Sequence, residues 1–305
     1  MRSLSTANVE FCLDVFKELN SNNIGDNIFF SSLSLLYALS MVLLGARGET
    51  AEQLEKVLHF SHTVDSLKPG FKHSPKCSQA GRIHSEFGVL FSQINQPDSN
   101  CTLSIANRLY GTKTMAFHQG KNVTVDMMYQ IGTFKLAFVK EPQMQVLELP
   151  YVNNKLSMII LLPVGTANLK QIEKQLNSGT FHEWTSSSNM MEREVEVHLP
   201  RFKLEIKYEL NSLLKSLGVT DLFNQVKADL SGMSSTKGLY LSKAIHKSYL
   251  DVSEEGTEAA AATGDSIAVK SLPMRAQFKA NHPFLFFIRH THTNTILFCG
   301  KLASP

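Results

Sequence analysis

The 305-residue sequence lacks most of the features that mark nucleic-acid-binding, metal-binding or disulfide-stapled proteins. Its formal net charge is only +3 and it has no run of lysines or arginines, which argues against a nucleic-acid partner. Its four cysteines, Cys12, Cys77, Cys101 and Cys299, lie far apart without a Cys-x-x-Cys pair, so we expect neither a metal site nor a redox dithiol. Because unpaired thiols suit a reducing compartment, we predict a cytoplasmic protein.

A signal peptide, a membrane span and an enzyme motif are also missing. The first 20 residues alternate polar and apolar side chains at helical spacing, unlike the unbroken apolar stretch of a signal peptide. Residues 27–45 approach the apolar density of a spanning helix, but four serines interrupt them, and we predict a helix buried in a globular core. No phosphate-binding glycine loop and no Gly-x-Ser-x-Gly elbow occurs. We therefore expect no enzyme activity, no cofactor and no membrane partner.

Apolar residues make up 43 % of the chain, enough for a large core. Helical spacing dominates the first 60 residues, with a third helix that we predict to begin at Thr50 as its N-cap. Residues 61–82 are rich in proline, glycine and polar residues and are predicted to form a surface loop. Two short helices are predicted at 168–176 and 210–217. Strands are predicted at 102–110, 146–150, 155–163, 192–207 with a bend at Pro200, 239–252, and 284–288 with 295–302. Because strands and helices do not alternate regularly, we predict an α+β fold.

The segment from 254 to 274 fits a packed domain least well. It reads EEGTEAAAATGDSIAVKSLPM, and it is poor in large apolar side chains although two strong strand patterns flank it. A loop of this length inside a compact domain is usually functional or disordered. On composition alone, a surface linker is an equally good interpretation.

Residues 254–263 (EEGTEAAAAT) resemble the hinge of the reactive-centre loop in the serpin family. Other stretches resemble the same family along nearly the whole chain: NIFFSSLS at 27–34, SIANRLYG at 104–111, LPRF at 199–202, HPFLFFIR at 282–289 and ILFCGK at 296–301. Within the family, the chain resembles the intracellular ovalbumin-like (clade B) branch. Three features carry this resemblance: the missing signal peptide, the loop at 61–82 and the short C-terminal end. The resemblance implies a serpin-like fold of helices packed on mixed and antiparallel sheets.

The resemblance also implies a mechanism. A serine protease attacks one bond of the loop, and the cleaved loop then inserts as an extra strand into the main sheet before the acyl-enzyme is hydrolysed. Counting from Gly256 at the family's spacing places the cleaved bond between Lys270 and Ser271, and a lysine there suits a trypsin-like protease. The remaining residues implied by the resemblance are the loop hinge, Glu254, Glu255, Gly256, Thr257, Glu258, Ala259, Ala260, Ala261, Ala262 and Thr263, and a shutter network of Ser31, Ser34 and His246.

Two sets of histidines have other interpretations. His290 and His292 would share one strand face, but without a third ligand we predict a solvated turn rather than a metal site. His246 lacks a catalytic pattern around it, and we predict a buried hydrogen-bonding residue, in agreement with the family comparison.

The chain departs from the family between Gln119 and Gly120. A helix, an edge strand, a long covering helix and a central strand with the signature Asn-Ala-x-x-Phe-Lys-Gly-x-Trp should follow the strand near 105–111, and none of them is present. We predict an internal deletion at this point, for which an alternatively spliced product would account. The lost central strand is one wall of the slot that the loop enters, and it carries an Asn of the shutter network. Ser32 stands where the family usually has proline.

We therefore expect a single serpin-like domain, residues 1–305, with an exposed reactive-centre loop at about 254–277 and without inhibitory activity. Three structural outcomes are open: the remaining strands pair with each other, the loop fills the gap, or the chain misfolds. The alternative to an inhibitor is a non-inhibitory serpin that acts as a protease substrate or binding protein. If folded, the chain is expected to be a monomer.

Overall fold

The structure is a computed structural model that describes residues 4–22, 24–60, 77–94, 126–151, 154–234, 238–253 and 275–304. The predicted deletion point at 119–120, the predicted strand at 102–110 and the segment 254–274 lie outside these ranges. The elements within them are α1 (Leu4–Asn22), β1 (Ile28–Phe30), α2 (Ser32–Gly45), α3 (Gly48–Val57), α4 (Cys77–Ile94), β2 (Met127–Val139), β3 (Met144–Pro150), β4 (Leu156–Pro163), α5 (Leu169–Gln175), α6 (Ser178–Trp184), β5 (Met191–Pro200), β6 (Phe202–Glu209), α7 (Asn211–Leu217), a 3-10 turn (Asp221–Phe223), β7 (Ile245–Val252), β8 (Ala276–Lys279), β9 (Phe284–His290) and β10 (Ile296–Leu302).

Ten described strands form one sheet of eight and one of two, and with the helices they confirm the predicted α+β fold. The large sheet has the order β1-β10-β9-β4-β3-β2-β5-β8, and every pair in it is antiparallel except β5 with β8. The small sheet is the antiparallel pair of β6 and β7. The long strand predicted for 192–207 is therefore two strands in different sheets, because the chain bends between Pro200 and Phe202.

The middle of the large sheet lies between two apolar layers, and this explains why β4 and β9 are buried along their whole length. Alternate side chains of a strand point to opposite faces. Ile159 and Phe287 accordingly belong to the core shared with α1 and α2, whereas Phe286 belongs to the core shared with β6. Gly300 lies opposite Phe286 in β10, and a side chain there would collide with that ring.

The N-terminal helices follow the predicted apolar spacing, with one correction. Residues 28–30, which we predicted to be helical, form β1, and Ser31 then caps α2. The run is divided because Ile28, Phe29 and Phe30 pair with β10 as the end strand of the large sheet. In the described part of the chain, no helix combines the length and the apolar character needed to cross a membrane.

Two further predictions for the first half are wrong. Thr50 lies inside α3, which begins at Gly48, and its hydroxyl accepts the Asp229 backbone N–H at 3.0 Å instead of capping the helix. Residues 77–82, predicted as part of a loop, begin α4. The signal for this helix is its stripe of buried residues three and four positions apart, Ile83, Phe87, Leu90 and Ile94.

The predictions for the second half are closer to the structure. The final hairpin is confirmed as β9 and β10. The helix at 210–217 is confirmed as α7, which ends at Gly218 with a φ of 116°, a conformation that favours glycine. The strand predicted from residue 239 begins only at Ile245.

Candidate functional site

The structure brings together Ser31, Ser34 and His246, the three residues that the resemblance assigns to the shutter network. Ser31 has an extended backbone between β1 and α2, and its hydroxyl accepts the Ser34 N–H at 3.2 Å. The same hydroxyl donates to the Leu297 carbonyl in β10 at 3.0 Å. Ser31 therefore caps α2 and ties the start of this helix to the large sheet.

His246 joins this point to the small sheet. Its Nε2 accepts the Ser31 backbone N–H at 3.0 Å, and the residue is buried in β7. Burial lowers the pKa of His246 to about 4. The imidazole is therefore neutral at pH 7, with its proton on Nδ1, because the nitrogen that accepts a hydrogen bond carries none. The predicted buried, hydrogen-bonding character of this residue agrees with the structure.

Two residues of the small sheet extend the network and were missed in the sequence. The Ser248 hydroxyl donates to the Phe29 carbonyl at 2.7 Å, and the Phe29 N–H donates to the Tyr208 hydroxyl at 3.2 Å. Burial raises the pKa of Tyr208 to about 12, so its phenol stays protonated. The available signal was strand alternation: Ser248 is two residues from His246 on the same face, and Tyr208 pairs with His246 across the small sheet.

Asn8 on α1 forms the opposite side of the network and was also missed. It is fully buried, its side-chain N–H donates to the Ser32 hydroxyl at 3.2 Å, and its Oδ1 accepts the Ile296 N–H at 2.7 Å. Ser32 thus has a polar partner at the position where proline was expected from the resemblance. The signal was a polar residue one helical turn before Cys12, on the apolar face of α1.

With the residues added by the structure, the shutter network consists of uncharged side chains that hold neighbouring segments together by hydrogen bonds. From here on, the name covers Asn8, Ser31, Ser32, Ser34, Tyr208, His246 and Ser248. His246 contacts the backbone N–H of Ser31 rather than its hydroxyl, so the pair is not arranged as a base and a nucleophile. Among the described residues, no group of three histidine, cysteine or acidic side chains is placed to hold a metal ion. The network can fasten β1 and the start of α2 to β7.

The prediction that His290 and His292 lie in a solvated turn is wrong for His290. His290 does not lie in a solvated turn, because it is buried in the strand, and its Nδ1 is 2.9 Å from the Thr293 hydroxyl. Burial, with the nearby charges of His292 and Lys155, lowers the pKa of His290. Through its contact with Thr293, His290 holds the hairpin turn between β9 and β10.

The hinge residues from Glu254 to Thr263, and Lys270 with Ser271, lie outside the described residues, so only the flanks of their segment can be placed. The chain leaves β7 after Val252 and re-enters the fold at Ala276 in β8. β8 pairs with β5 in the large sheet, and the described neighbour of β7 is β6.

Comparisons with known proteins agree with this architecture. A family model described as Serpin (serine protease inhibitor) matches residues 6–120 and 111–305. Serpin B11 of Homo sapiens is 76 % identical and Serpin B11 of Mus musculus 50 % identical, each over 392 aligned positions that cover all of both chains. The crystal structure of uncleaved ovalbumin matches with a TM-score of 0.79 and 29 % identity, again over both whole chains. Since this chain has 305 residues, interior gaps fill the rest of the 392 positions, and the two parts of the family match meet where the sequence predicts the deletion.

Proposed function

Because this chain belongs to the serpin family, we propose that it presents residues 254–274 as bait to a trypsin-like serine protease, which cleaves between Lys270 and Ser271 without being trapped. A lysine at the cleaved bond matches a specificity pocket with a buried acid. The hinge residues 254–263, and Ser31, Ser34 and His246, keep the roles that the family resemblance gives them. The protein itself supplies no catalytic group.

The small sheet is the observation that supports loss of trapping. β7 is paired with β6 along its full length, and it has no second neighbour among the described strands. Trapping requires the cleaved loop to insert between two strands faster than the acyl-enzyme is hydrolysed. In this chain the strand that would form the second wall of the slot is absent from the sequence. Hydrolysis of the acyl-enzyme should therefore be faster than insertion, and the protease should release the chain cut between Lys270 and Ser271 as a product.

Incubation of the purified chain with trypsin tests this proposal directly. A denaturing gel and intact mass measurement over a short time course should show cleavage after Lys270 and no band at the summed mass of the two proteins. Lys270→Ala should remove this cleavage and leave the rest of the digestion pattern unchanged. A stable band at the summed mass would show that the trap works, and rapid cleavage at many sites would show that the chain does not hold its fold.

We also propose that the folded chain is a single serpin-like domain over residues 1–305 and a cytoplasmic monomer. The shutter network supports one domain, since it connects α1, α2, the large sheet and the small sheet. Light scattering after gel filtration should give the 34.0 kDa mass of one chain. A larger mass would contradict the monomer without affecting cleavage at Lys270.

A further inference from the structure

The fold brings together two of the four cysteines, although they are separated by nearly the whole sequence. Cys12 lies on the buried face of α1 and Cys299 in the middle of β10, and both are fully buried in the same apolar core. Two hydrogen bonds fix α1 alongside β10 on both sides of the pair: Asn8 Oδ1 accepts the Ile296 N–H at 2.7 Å, and the Lys301 ammonium donates to Asn20. This placement makes Cys12 and Cys299 neighbours across the packed helix and strand. We propose that Cys12 and Cys299 are a concealed disulfide pair, which a small-molecule disulfide such as oxidised glutathione converts into one covalent link.

The surroundings explain why the pair stays reduced in a reducing compartment. Cys299 pairs with Phe30 on one side and Phe287 on the other, and α1 covers it. Burial, together with the hydrogen bond from Cys12, raises the pKa of the Cys299 thiol well above its ordinary value. Since the thiolate is the reactive form, oxidation has to wait for an opening of α1 that admits the reagent. The pair is consequently slow to react, although the two cysteines are neighbours in the folded protein.

The chemistry balances in two exchange steps. When α1 opens, the thiolate of one cysteine attacks the small disulfide, forming a mixed disulfide and releasing one small thiolate. When the helix repacks, the second cysteine attacks the protein sulfur of that mixed disulfide and releases the second small thiolate. The protein loses two electrons and two protons, and the small disulfide is reduced to two thiols.

The link would join the first helix of the protein to its last strand. A disulfide stabilises a protein mainly by restricting the unfolded chain, and the effect grows with the length of the closed loop. A loop from residue 12 to residue 299 includes both sheets and the predicted deletion point. Oxidation should therefore raise the thermal midpoint of this chain by about 5 °C or more. This expectation is independent of the function proposed above.

The double variant Cys77→Ser with Cys101→Ser gives the clearest test, because only Cys12 and Cys299 remain. It is treated with oxidised glutathione, with and without low urea to promote opening, and its intact mass is measured. We expect a product that has lost two hydrogens, peptide maps that join the Cys12 and Cys299 peptides, and a raised thermal midpoint that falls again with dithiothreitol. The unaltered chain is mapped in the same way, so that the result does not depend on the folding of the double variant.

Three outcomes would overturn the proposal: two separate glutathione adducts, two thiols that stay unmodified after opening and repacking with the oxidant, or a link that lowers the thermal midpoint. Cys12→Ser and Cys299→Ser in the double-variant background serve as matched controls. Each has one thiol and can form only a mixed adduct.

Discussion

β9 in the large sheet and β7 in the small sheet differ in how completely their neighbours cover them. β9 has β10 and β4 on its two sides, and all seven of its residues are buried. β7 has β6 as its described neighbour, and Lys247, Tyr249 and Asp251 on its outer face are exposed. Among the described strands, β9 thus has both edges paired and both faces covered, whereas β7 has one paired edge and one exposed face.

The difference separates two parts of the family's activity. Presentation of the bait needs only that its flanks be held, and these flanks are β7 and β8. Trapping, in the function proposed above, would need a slot beside β7, which has only β6 as its described neighbour. The shutter network lies on the boundary, since Ser31 and His246 connect the two layers through one hydrogen bond. We therefore expect the hydrogen bonds at this boundary, from His246, Ser248 and Tyr208 to residues 29–31, to decide how firmly the small sheet is held against the large sheet.

The largest effect should come from a core substitution in the large sheet. Phe286 is fully buried, and its ring packs against Phe29 and Phe202 with centroids 6.0 and 5.7 Å apart. Phe286→Ala should lower the free energy of unfolding by about 3–5 kcal/mol, measured by urea denaturation. Tyr249→Ala on the exposed face of β7 is the matched control and should cost less than about 1 kcal/mol. Equal losses would mean that the two sheets are equally well covered.

Acidification should weaken the boundary through His246. Its pKa is about 4 in the folded protein and ordinarily 6.5, so the unfolded chain takes up the proton first. The contribution of His246 is therefore fully present above pH 6.5 and is lost as the pH falls toward 4, up to about 3 kcal/mol. Urea denaturation at several pH values measures this loss.

Two variants isolate the contribution of His246. In His246→Gln, an amide oxygen can still accept the Ser31 N–H, but the titration is gone. The difference in stability between the native chain and this variant should shrink between pH 7 and 4.5. Ser248→Ala removes the neighbouring hydrogen bond to Phe29 but no titratable group, and it should leave the pH dependence as it is. A constant difference for His246→Gln would show that the imidazole is not held neutral by the fold.

Hydrogen exchange compares the two sheets directly. Amides of β4 and β9 should exchange only on global unfolding, whereas β7 can open from the edge where no described strand pairs with it. We expect β7 amides to exchange about a hundredfold faster than those of β9, equivalent to about 3 kcal/mol. Equal protection would mean that another segment of the chain pairs with β7 and supplies the missing wall. That result would also revive trapping as a function.

The sequence predicts those elements of the fold that depend on the local order of apolar side chains, and it fails where distant segments contact each other. Apolar spacing found α1 and the final hairpin, because their burial follows directly from the order of side chains. It missed Asn8 and Tyr208, since their hydrogen-bond partners lie far along the chain. It also placed Ser32 in one helix with Phe29, because only pairing with β10 reveals that the run is divided. Contacts between distant segments are the part that one sequence could not supply, and the meeting of Cys12 and Cys299 belongs to the same class.

The smallest expected change in stability concerns Ser32, which stands at the boundary where the resemblance to the family predicts a proline. Ser32 is the first residue of α2, where the fixed φ of proline suits the helix, and Ser31 before it already has the extended backbone that a following proline requires. Ser32→Ala removes only the hydroxyl that contacts Asn8, whereas Ser32→Pro removes it and also restricts the unfolded chain. Ser32→Pro should therefore be more stable than Ser32→Ala by about 0.4–1 kcal/mol, measured by urea denaturation of both variants side by side. If Ser32→Pro is the less stable of the two, the start of α2 has shifted in this chain from the conformation that proline requires, and the boundary differs from the family's in its backbone as well as in its side chains.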